Sequence, residues 1–170
     1  MSALMERIKF GNLWNELGQS DLILVTANGV VDGHGSLVMG AGAAREARLK
    51  FPGLDALAGQ GLRTLREFDR VIYGVMLSPF NRQGTQVGLF QVKYHFKWPA
   101  EFGLMRASAM SLRRYARQYR RIAMNFPGVG HGGLELRRAL PMLSALPSNV
   151  TLYLYPNQEA ECRTILNGMY

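Results

Sequence analysis

Apolar residues come in short runs along the chain, and polar stretches separate the runs. Five of these runs have the length and composition of buried strands. They cover residues 22–25, 71–77, 86–92, 122–126 and 150–155. A turn over 81–84 would join the second run to the third, and Pro156, which has no N–H to donate, would end the fifth. The pattern therefore predicts a sheet of at least five strands.

Longer amphipathic stretches lie between the runs. Residues 104–121 carry apolar or small side chains at the spacing of one helical face, at Met105, Ala109, Leu112, Ala116 and Tyr119. Residues 134–146 predict a second helix, and residues 38–51 predict a third that follows a turn. Strands that alternate with helices are typical of an α/β fold with a largely parallel sheet. Since no linker or repeat interrupts the alternation, residues 1–170 are predicted to form one domain.

Composition narrows the class of protein. Apolar residues make up 48% of the chain and charged residues 19%, as in folded globular domains. No apolar run reaches the length of about 18 residues that a membrane span needs, and residues 1–7 lack the apolar core of a signal peptide. Cys162 is the only cysteine, which excludes a disulfide framework, and His34, His95 and His131 have no metal-ligand spacing. We expect an intracellular protein without a metal site or a membrane contact.

Two glycine-rich turns stand where phosphate-binding loops would be. The later turn follows the 122–126 run and contains Gly128, Gly130, Gly132 and Gly133, interleaved with Val129 and His131. The earlier turn consists of Val38, Met39, Gly40, Ala41 and Gly42. A turn between a strand and a helix binds phosphate with its backbone N–H groups. Two such loops predict a diphosphate held from both sides, and the alternative for each is a tight turn without a ligand.

Three polar side chains lie beside these loops or at strand ends. Asn28 follows the first strand, where its carboxamide would bind sugar hydroxyls or instead form an Asx turn with the next glycine. Lys93 ends an apolar run, where burial would make it a nucleophile or a proton donor, and a solvated surface lysine is the alternative. Glu135 is a candidate general acid, or else a first-turn carboxylate that the helix dipole favours. His95 and His131 are candidates for ligand contact alone.

The charge balance favours an anionic partner. The chain has a net charge of +8, from 20 Lys and Arg against 12 Asp and Glu, and nucleic acids bind such proteins with release of counterions. Four arginines would cluster on one side of the predicted helix 104–121. The residues that would contact a nucleic acid are Arg113, Arg117, Arg120, Arg121 and Lys97, with Trp98 as a surface for stacking. The alternative is a solvated basic surface.

At these positions the sequence resembles the macrodomain family, over roughly residues 8–157. Residues 38–42 and the helix after them are similar to the family's first phosphate loop. Asn12 stands where the family has an acid that holds the adenine amino group, and Asn28 stands at the position of its ribose-binding asparagine. Tyr155 stands where an adenine-side aromatic residue follows the last strand. The resemblance implies a three-layer α/β/α fold around a mixed, largely parallel sheet, with ADP-ribose as ligand and no cofactor.

The segment around Lys93 is similar to one branch of that family. Residues 90–100 read Phe-Gln-Val-Lys-Tyr-His-Phe-Lys-Trp-Pro-Ala, which resembles the branch pattern Phe-Pro-Thr-Lys-x-His-Trp-Arg-x-Pro-Ser. This branch contains the DarG-type antitoxins, which remove ADP-ribose from thymidine in DNA, and it is related to the human-type hydrolases that remove ADP-ribose from glutamate. Lys93 occupies the branch's catalytic lysine position, and Glu135 replaces an aspartate.

The resemblance implies an ADP-ribosyl hydrolase that acts on ADP-ribosylated DNA, with a cognate ADP-ribosyltransferase as a further partner. We expect such a protein in the cytoplasm, encoded by a bacterium or a phage. The alternatives are a reader that binds ADP-ribose without turnover, a hydrolase of protein carboxylate-linked ADP-ribose, and a hydrolase of a free nucleotide.

Overall fold

The computed structural model describes residues 4–63 and 71–168. Within these residues six strands form one sheet, in the order β1-β6-β5-β2-β4-β3. The strands are β1 (Ile8–Phe10), β2 (Leu22–Ala27), β3 (Val75–Arg82), β4 (Thr85–Gln91), β5 (Ile122–Asn125) and β6 (Val150–Leu154). Neighbouring strands are parallel except β3 and β4, which form an antiparallel pair at one edge. The sheet is mixed and largely parallel, as expected.

Helices cover both faces of this sheet. They are α1 (Gly42–Lys50), α2 (Leu54–Arg63), α3 (Phe102–Ala116), α4 (Leu136–Ala139) and α5 (Glu159–Gly168). Side chains alternate along β2, so Ile23 and Val25 join a core with α1, α2 and the 3₁₀ helix Leu13–Glu16. Leu22 and Leu24 join the opposite core, with α3, α4 and α5. The fold therefore has the three α/β/α layers that the resemblance implied.

Residues 71–74 are not part of a strand, and the sequence prediction is wrong there. The side chain of Gln91, fully buried at the end of β4, supplies most of the hydrogen bonds to this backbone. Its Nε2 atom donates to the carbonyl of Val71 at 2.8 Å. Its Oε1 atom accepts from the N–H groups of Tyr73 and Gly74 at 2.9 and 3.3 Å. Because a side-chain amide satisfies these groups, β3 begins only after them, and it then continues through the first half of the predicted turn, to Arg82.

The helix predicted over 104–121 is α3, and it ends early, at Ala116. Side chains from two other elements bond the backbone at and beyond its end. Nδ2 of Asn149 donates to the Ala116 carbonyl at 2.9 Å, and the carboxylate of Asp21 accepts from the N–H of Arg120 at 2.7 Å. These bonds supply the partners that a further helical turn would have supplied, and they direct the chain into β5.

The helix predicted over 134–146 consists of α4 and the 3₁₀ helix Leu140–Ser144. Pro141 lies in the first turn of the second piece, where it has no N–H to continue an α-helical ladder. The apolar pattern does not predict β1, α2 or α5. Among the described residues, no helix has both the length and the apolar character needed to cross a membrane.

Candidate functional site

A cavity of about 1040 Å³ opens at the carboxyl ends of the parallel strands. It is lined by residues that follow five of the strands: Gly11 after β1, Asn28 after β2, Lys93 after β4, Phe126 after β5 and Tyr155 after β6. Ligands of α/β sheets bind at the carboxyl ends of strands, because the loops diverge there and leave a crevice. The two glycine-rich loops predicted from the sequence meet in this cavity.

The strand order sets where each part of the site lies. β1 and β6 stand at one end of the cavity and β4 towards the other, with β5 and β2 between them. Neighbouring strands are about 4.8 Å apart, so the ends of β6 and β4 are separated by roughly 14 Å. Loop 38–42 follows β2, and loop 126–133 follows β5. An elongated ligand in the cavity would therefore pass between the two loops at its middle.

The two loops touch each other across the cavity. Gly42 begins α1 with a φ of +56°, a left-handed conformation that favours glycine. A Cβ atom on Gly42 would lie 3.1 Å from Cδ2 of His131 in the other loop. No side chain caps the start of α1 at Ala41, and residues 38–44 line the cavity. The positive end of the α1 dipole is thus available to an anion between the loops.

The second loop folds tightly on itself. Gly128 has a φ of +86°, and a Cβ atom there would lie 2.7 Å from Cδ1 of Leu134 and 3.0 Å from Sδ of Met105. The carbonyl of Gly128 accepts a hydrogen bond from the N–H of Leu134 at 2.9 Å. These contacts hold residues 129–132 against the cavity, and all four of them line it.

Lys93 lies half-buried at the β4 end of the cavity. Its Nζ atom donates to the carbonyl of Phe96 at 3.2 Å and to the carbonyl of His131 at 3.0 Å. Burial lowers the pKa of Lys93 from its usual value, because the charged form loses hydration. A neutral amine has two N–H donors, so it can make both bonds and keep its lone pair. An ammonium can make both bonds and keep a third N–H to donate.

Asn28 forms the Asx turn that was one of its two alternatives, and sugar binding stays a prediction. Its Oδ1 atom accepts from the N–H of Val30 at 2.9 Å, which is an Asx turn. Its Nδ2 atom donates to the carbonyl of Val38 at 2.9 Å. The residue is buried, yet it lines the cavity. Its carboxamide therefore ties the first glycine loop to the end of β2, and its remaining donor and lone pair are what a ribose would use.

Asn12 and Tyr155 lie at the opposite end of the cavity from Lys93. Oδ1 of Asn12 accepts from the N–H of Trp14 at 2.9 Å, so the side chain caps the 3₁₀ helix Leu13–Glu16. Tyr155 follows β6, and 59% of its surface is exposed. Both residues line the cavity. An exposed aromatic ring at this end suits a nucleobase, which stacks on aromatic faces.

Glu135 and Gly133 do not line the cavity. Glu135 is exposed at the residue before α4, and its main-chain carbonyl accepts from the N–H of Arg138 at 3.0 Å. Glu135 is thus the residue that precedes the first turn of α4, and it does not line the cavity with Lys93. No group of three His, Cys, Asp or Glu side chains in the described residues is arranged to hold a metal ion.

An exposed aromatic cluster lies beside Lys93. His95 stacks on Phe96 with ring centroids 4.3 Å apart and lies 5.2 Å from the ring of Trp98. The N–H of Lys97 donates to Nδ1 of His95 at 3.0 Å. Phe96 lines the cavity, a role that the sequence did not single out although the residue lies within the Lys93 segment. Lys97 and Trp98 are exposed and do not line the cavity, but they contact His95 and Phe96 at its rim, and their contact with nucleic acid stays a prediction.

Of the four arginines predicted on one helical face, only Arg113 lies on α3, so the prediction of a shared helical face is wrong, whereas their contact with nucleic acid stays a prediction. α3 starts beside the cavity. Its 15 residues span about 22 Å and lead to the side of the sheet where the parallel strands begin. Arg117 follows the helix, and Arg120 and Arg121 lie in the turn before β5. Nη2 of Arg121 pairs with the carboxylate of Glu16 at 2.6 Å, and Nη2 of Arg113 donates to a main-chain carbonyl at 3.2 Å. None of the four lines the cavity.

The mixed sheet, the helical layers on both faces and the crevice at the strand ends define a macrodomain fold. The structure is similar to the macrodomain of Thermus aquaticus DarG, with a TM-score of 0.67 and 23% identity over 88% of this chain and 96% of that one. It is also similar to the macrodomain of Mycobacterium tuberculosis DarG, with a TM-score of 0.60 and 22% identity over 86% of this chain and 96% of that one.

A third similar structure is Thermosipho africanus DarTG in complex with ADP-ribose. It matches with a TM-score of 0.69 and 19% identity, over 96% of this chain and 46% of that one. No family model and no curated protein matches the sequence. At these identities the similarity establishes the fold alone.

Proposed function

We propose that this protein is an ADP-ribosyl hydrolase that removes ADP-ribose from a modified target, with Lys93 as the catalytic residue. The observation that carries the proposal is the position of the Lys93 Nζ atom, held by two carbonyls at the end of a cavity with two glycine loops at its middle. The diphosphate of ADP-ribose would lie between the loops. Its distal ribose would then lie at Lys93 and its adenine at the β1 and β6 end.

Lys93 would act on C1″ of the distal ribose. In the neutral form, the lone pair of Nζ attacks C1″ and the bond to the target breaks, with the electron pair leaving on the target atom. Water then cleaves the sugar–lysine adduct and restores the amine. In the charged form, the third N–H of Nζ would instead protonate the leaving atom while water attacks C1″. The lowered pKa of Lys93 favours the first route, because it raises the neutral fraction.

DNA is the target that we propose. The net charge of +8 favours a polyanion, and Lys97 and Trp98 lie at the rim beside Lys93, where they would contact the nucleotides next to the modified base. The resemblance of residues 90–100 to the DarG-type segment points to thymidine, and a cognate ADP-ribosyltransferase would supply the modified DNA. Binding to DNA should therefore depend strongly on salt, and binding to free ADP-ribose should not.

The test is release of ADP-ribose from an ADP-ribosylated thymidine oligonucleotide by the wild type and by Lys93→Ala. We expect release by the wild type alone, with binding of free ADP-ribose kept in the variant. Release from ADP-ribosylated carboxylates but not from DNA would mean that the modified target is a protein. An absence of heat on titration with ADP-ribose at millimolar concentration would remove the proposal altogether.

A reader that binds ADP-ribose without turnover is the second candidate. The exposed position of Glu135, outside the cavity lining, supports it, because no carboxylate then assists Lys93. Tight binding of the modified oligonucleotide with no release by the wild type would favour the reader. Salt slopes that are equal for the oligonucleotide and for free ADP-ribose would argue against DNA in either case.

A further inference from the structure

The positive charge of the chain is concentrated in two segments. These are residues 102–117, which are α3 and the residue after it, and residues 136–144, which are α4 and the 3₁₀ helix after it. Together they hold six of the 20 Lys and Arg and none of the 12 Asp and Glu, so the rest of the chain holds 14 against 12. The six residues, all exposed, form what we call the arginine surface: Arg106, Arg113, Arg114, Arg117, Arg137 and Arg138. Most of the net charge of +8 therefore belongs to this surface.

Four of these arginines follow one exposed side of α3. Arg113 and Arg117 come seven and eleven residues after Arg106, which is close to two and three full helical turns. Arg114 flanks Arg113 on the same exposed side. At a rise of about 1.5 Å per residue, the row from Arg106 to Arg117 extends about 16 Å along the helix.

The arginines of α4 lie beside this row. The guanidinium group of Arg138 lies 5.6 Å from the ring centroid of Phe102, the first residue of α3. Nη2 of Arg113 donates to the carbonyl of Ala145, directly after the 3₁₀ helix Leu140–Ser144. Within residues 4–63 and 71–168, no ion pair joins any of the six guanidinium groups to a carboxylate. Their charges are therefore available to an anionic partner.

The arginine surface begins beside the cavity. The N–H of Ala100 donates to the carbonyl of Gly132 at 2.8 Å, and the N–H of Glu101 donates to the carbonyl of Val92 at 3.0 Å. Gly132 and Val92 both line the cavity, and α3 starts at the residue after Glu101. The row of arginines therefore leads away from the end of the cavity where Lys93 lies.

The chemistry of this surface fits a nucleic acid better than a membrane. Among the residues of α3, all of which the structure describes, Met110 is the only large apolar side chain that is exposed, whereas a helix that binds a bilayer inserts an apolar face. Guanidinium groups bind phosphate with two parallel N–H donors. Phosphates advance by about 3.4 Å per nucleotide along one strand of a duplex, so the row matches about five nucleotides.

We propose that the arginine surface binds the phosphates of the DNA strand that leads away from the modified base, so that the preferred substrate is a modified base within a long strand. The inference rests on the proposed function, because the modified base would lie at Lys93. Lys97 and Trp98 at the rim would contact only the nucleotides next to that base. Arg114 and Arg117 would be reached only by a strand that extends about five nucleotides or more beyond it.

Release of ADP-ribose from two single-stranded substrates tests the inference. One is a trinucleotide with the modified thymidine in the middle, and the other carries about eight nucleotides on each side of it. At low salt the wild type should have a KM about tenfold lower for the long strand, and added salt should reduce this difference because the released counterions oppose binding.

The variant is Arg114→Gln combined with Arg117→Gln. Both side chains are exposed, and neither makes a hydrogen bond or an ion pair with residues 4–63 or 71–168, so the fold should be kept. The KM for the long strand should rise towards that for the trinucleotide, whose KM should not change. The slope of log affinity for the long strand against log salt should fall by about 1.4, the value for two phosphates of a single strand.

Arg45→Gln combined with Arg82→Gln is the matched control, because it removes two arginine charges from exposed positions on α1 and β3. It should keep the KM ratio of the wild type. An equal KM of the wild type for both substrates overturns the inference, and so does an equal loss in the two double variants, which would mark an effect of net charge alone.

Fluorescence anisotropy with an unmodified strand of the same length keeps the proposed function separate. Weaker binding by the variant of Arg114 and Arg117 than by the control supports the inference even if the wild type is a reader that releases no ADP-ribose. Equal binding by the two variants overturns it. Binding of the wild type to vesicles of anionic lipid, without binding to the strand, overturns it as well.

Discussion

The carbonyl oxygen of His131 accepts a hydrogen bond from Nζ of Lys93, 3.0 Å away and 38 residues earlier in the chain. The imidazole ring of the same histidine packs against Gly42, where a Cβ atom would come within 3.1 Å of Cδ2. His131 therefore joins both glycine loops to the amine. One of the two bonds of Lys93 comes from the loop that would hold the diphosphate, so the proposed binding and chemistry would be coupled through His131.

Replacement of Gly42 by alanine should disturb both loops. The left-handed φ of +56° is unfavourable for alanine by about 1 kcal/mol, and the added methyl group must displace the ring of His131. We expect Gly42→Ala to lower the free energy of unfolding by about 1–2 kcal/mol and to weaken ADP-ribose binding by tenfold or more, on the order of a lost charged hydrogen bond. Thermal unfolding and calorimetry measure the two effects.

Gly33→Ala is the control for this prediction. Gly33 has no positive φ, and an added Cβ atom would have no heavy atom within 4 Å. The variant should unfold at the same temperature as the wild type or slightly higher, because alanine restricts the unfolded chain. Equal behaviour of the two variants in unfolding and in binding would show that the contact between the loops has no energetic weight.

The pH dependence of turnover distinguishes the two roles of Lys93. Burial lowers the pKa of this lysine, so the neutral amine becomes abundant at a lower pH than in free lysine. If Lys93 is the nucleophile, kcat/KM should rise about tenfold per pH unit below that pKa and then level off. If it is the proton donor, kcat/KM should fall as pH rises through the same value. We expect the rise, and Lys93→Arg, which cannot deprotonate in this range, should show neither turnover nor the rise.

Glu16 should make the stability of the protein sensitive to acid. Burial is the largest single influence on Glu16 and by itself raises its pKa, but the hydrogen bonds from Tyr153 and Ser20 and the charges of the basic residues together outweigh it. The charges of Arg121 and Lys9 act in the same direction, so the pKa lies below its usual value. A lowered folded-state pKa means that the stabilisation is complete above the unfolded pKa and is lost as pH falls through the folded one. Chemical unfolding across the acid range should show this loss.

Glu16→Gln removes that pH dependence. The variant should be less stable than the wild type at neutral pH by about 1–3 kcal/mol, because the paired charge is gone while its donors remain. The difference should shrink towards low pH, where the wild-type carboxyl is also neutral. Glu6→Gln, at an exposed position, should match the wild type throughout. A constant difference at every pH would mean that the charge of Glu16 does not stabilise the fold.

Basic residues near the two ends of α3 should differ in their contribution to DNA binding. Lys97 lies at the rim of the cavity, before α3, and Arg117 directly follows α3 at its far end. With a short single-stranded oligonucleotide modified at one thymidine, Lys97→Ala should raise KM and reduce the slope of log affinity against log salt by about 1. Arg117→Ala removes the same charge and should change neither quantity. Equal effects of the two variants would place the path of DNA along the whole length of α3.

The local pattern of the chain was sufficient for the strands and loops that build the cavity. The apolar runs that became β2, β4, β5 and β6 are buried in the sheet, so their positions along the chain and the two glycine-rich turns could be predicted from the local sequence. Parallel strands bring the ends of these runs to one side of the sheet, which is why both loops were predicted at one site, and the family resemblance added Lys93 to it.

The tertiary structure decided what depended on distant partners. The hydrogen bonds of the Gln91 side chain keep residues 71–74 out of β3. Bonds from Asp21 and Asn149 end α3 early, so the arginines that the periodicity predicted on one helical face do not share it. In the sequence, Glu46 has no feature that distinguishes it from other charged residues of a helix. In the structure its carboxylate accepts a hydrogen bond from Trp14, and the residue lines the cavity. Burial follows from the composition of a segment, whereas the position of a polar side chain follows from the partner that completes its hydrogen bonds, and that partner is set by the fold.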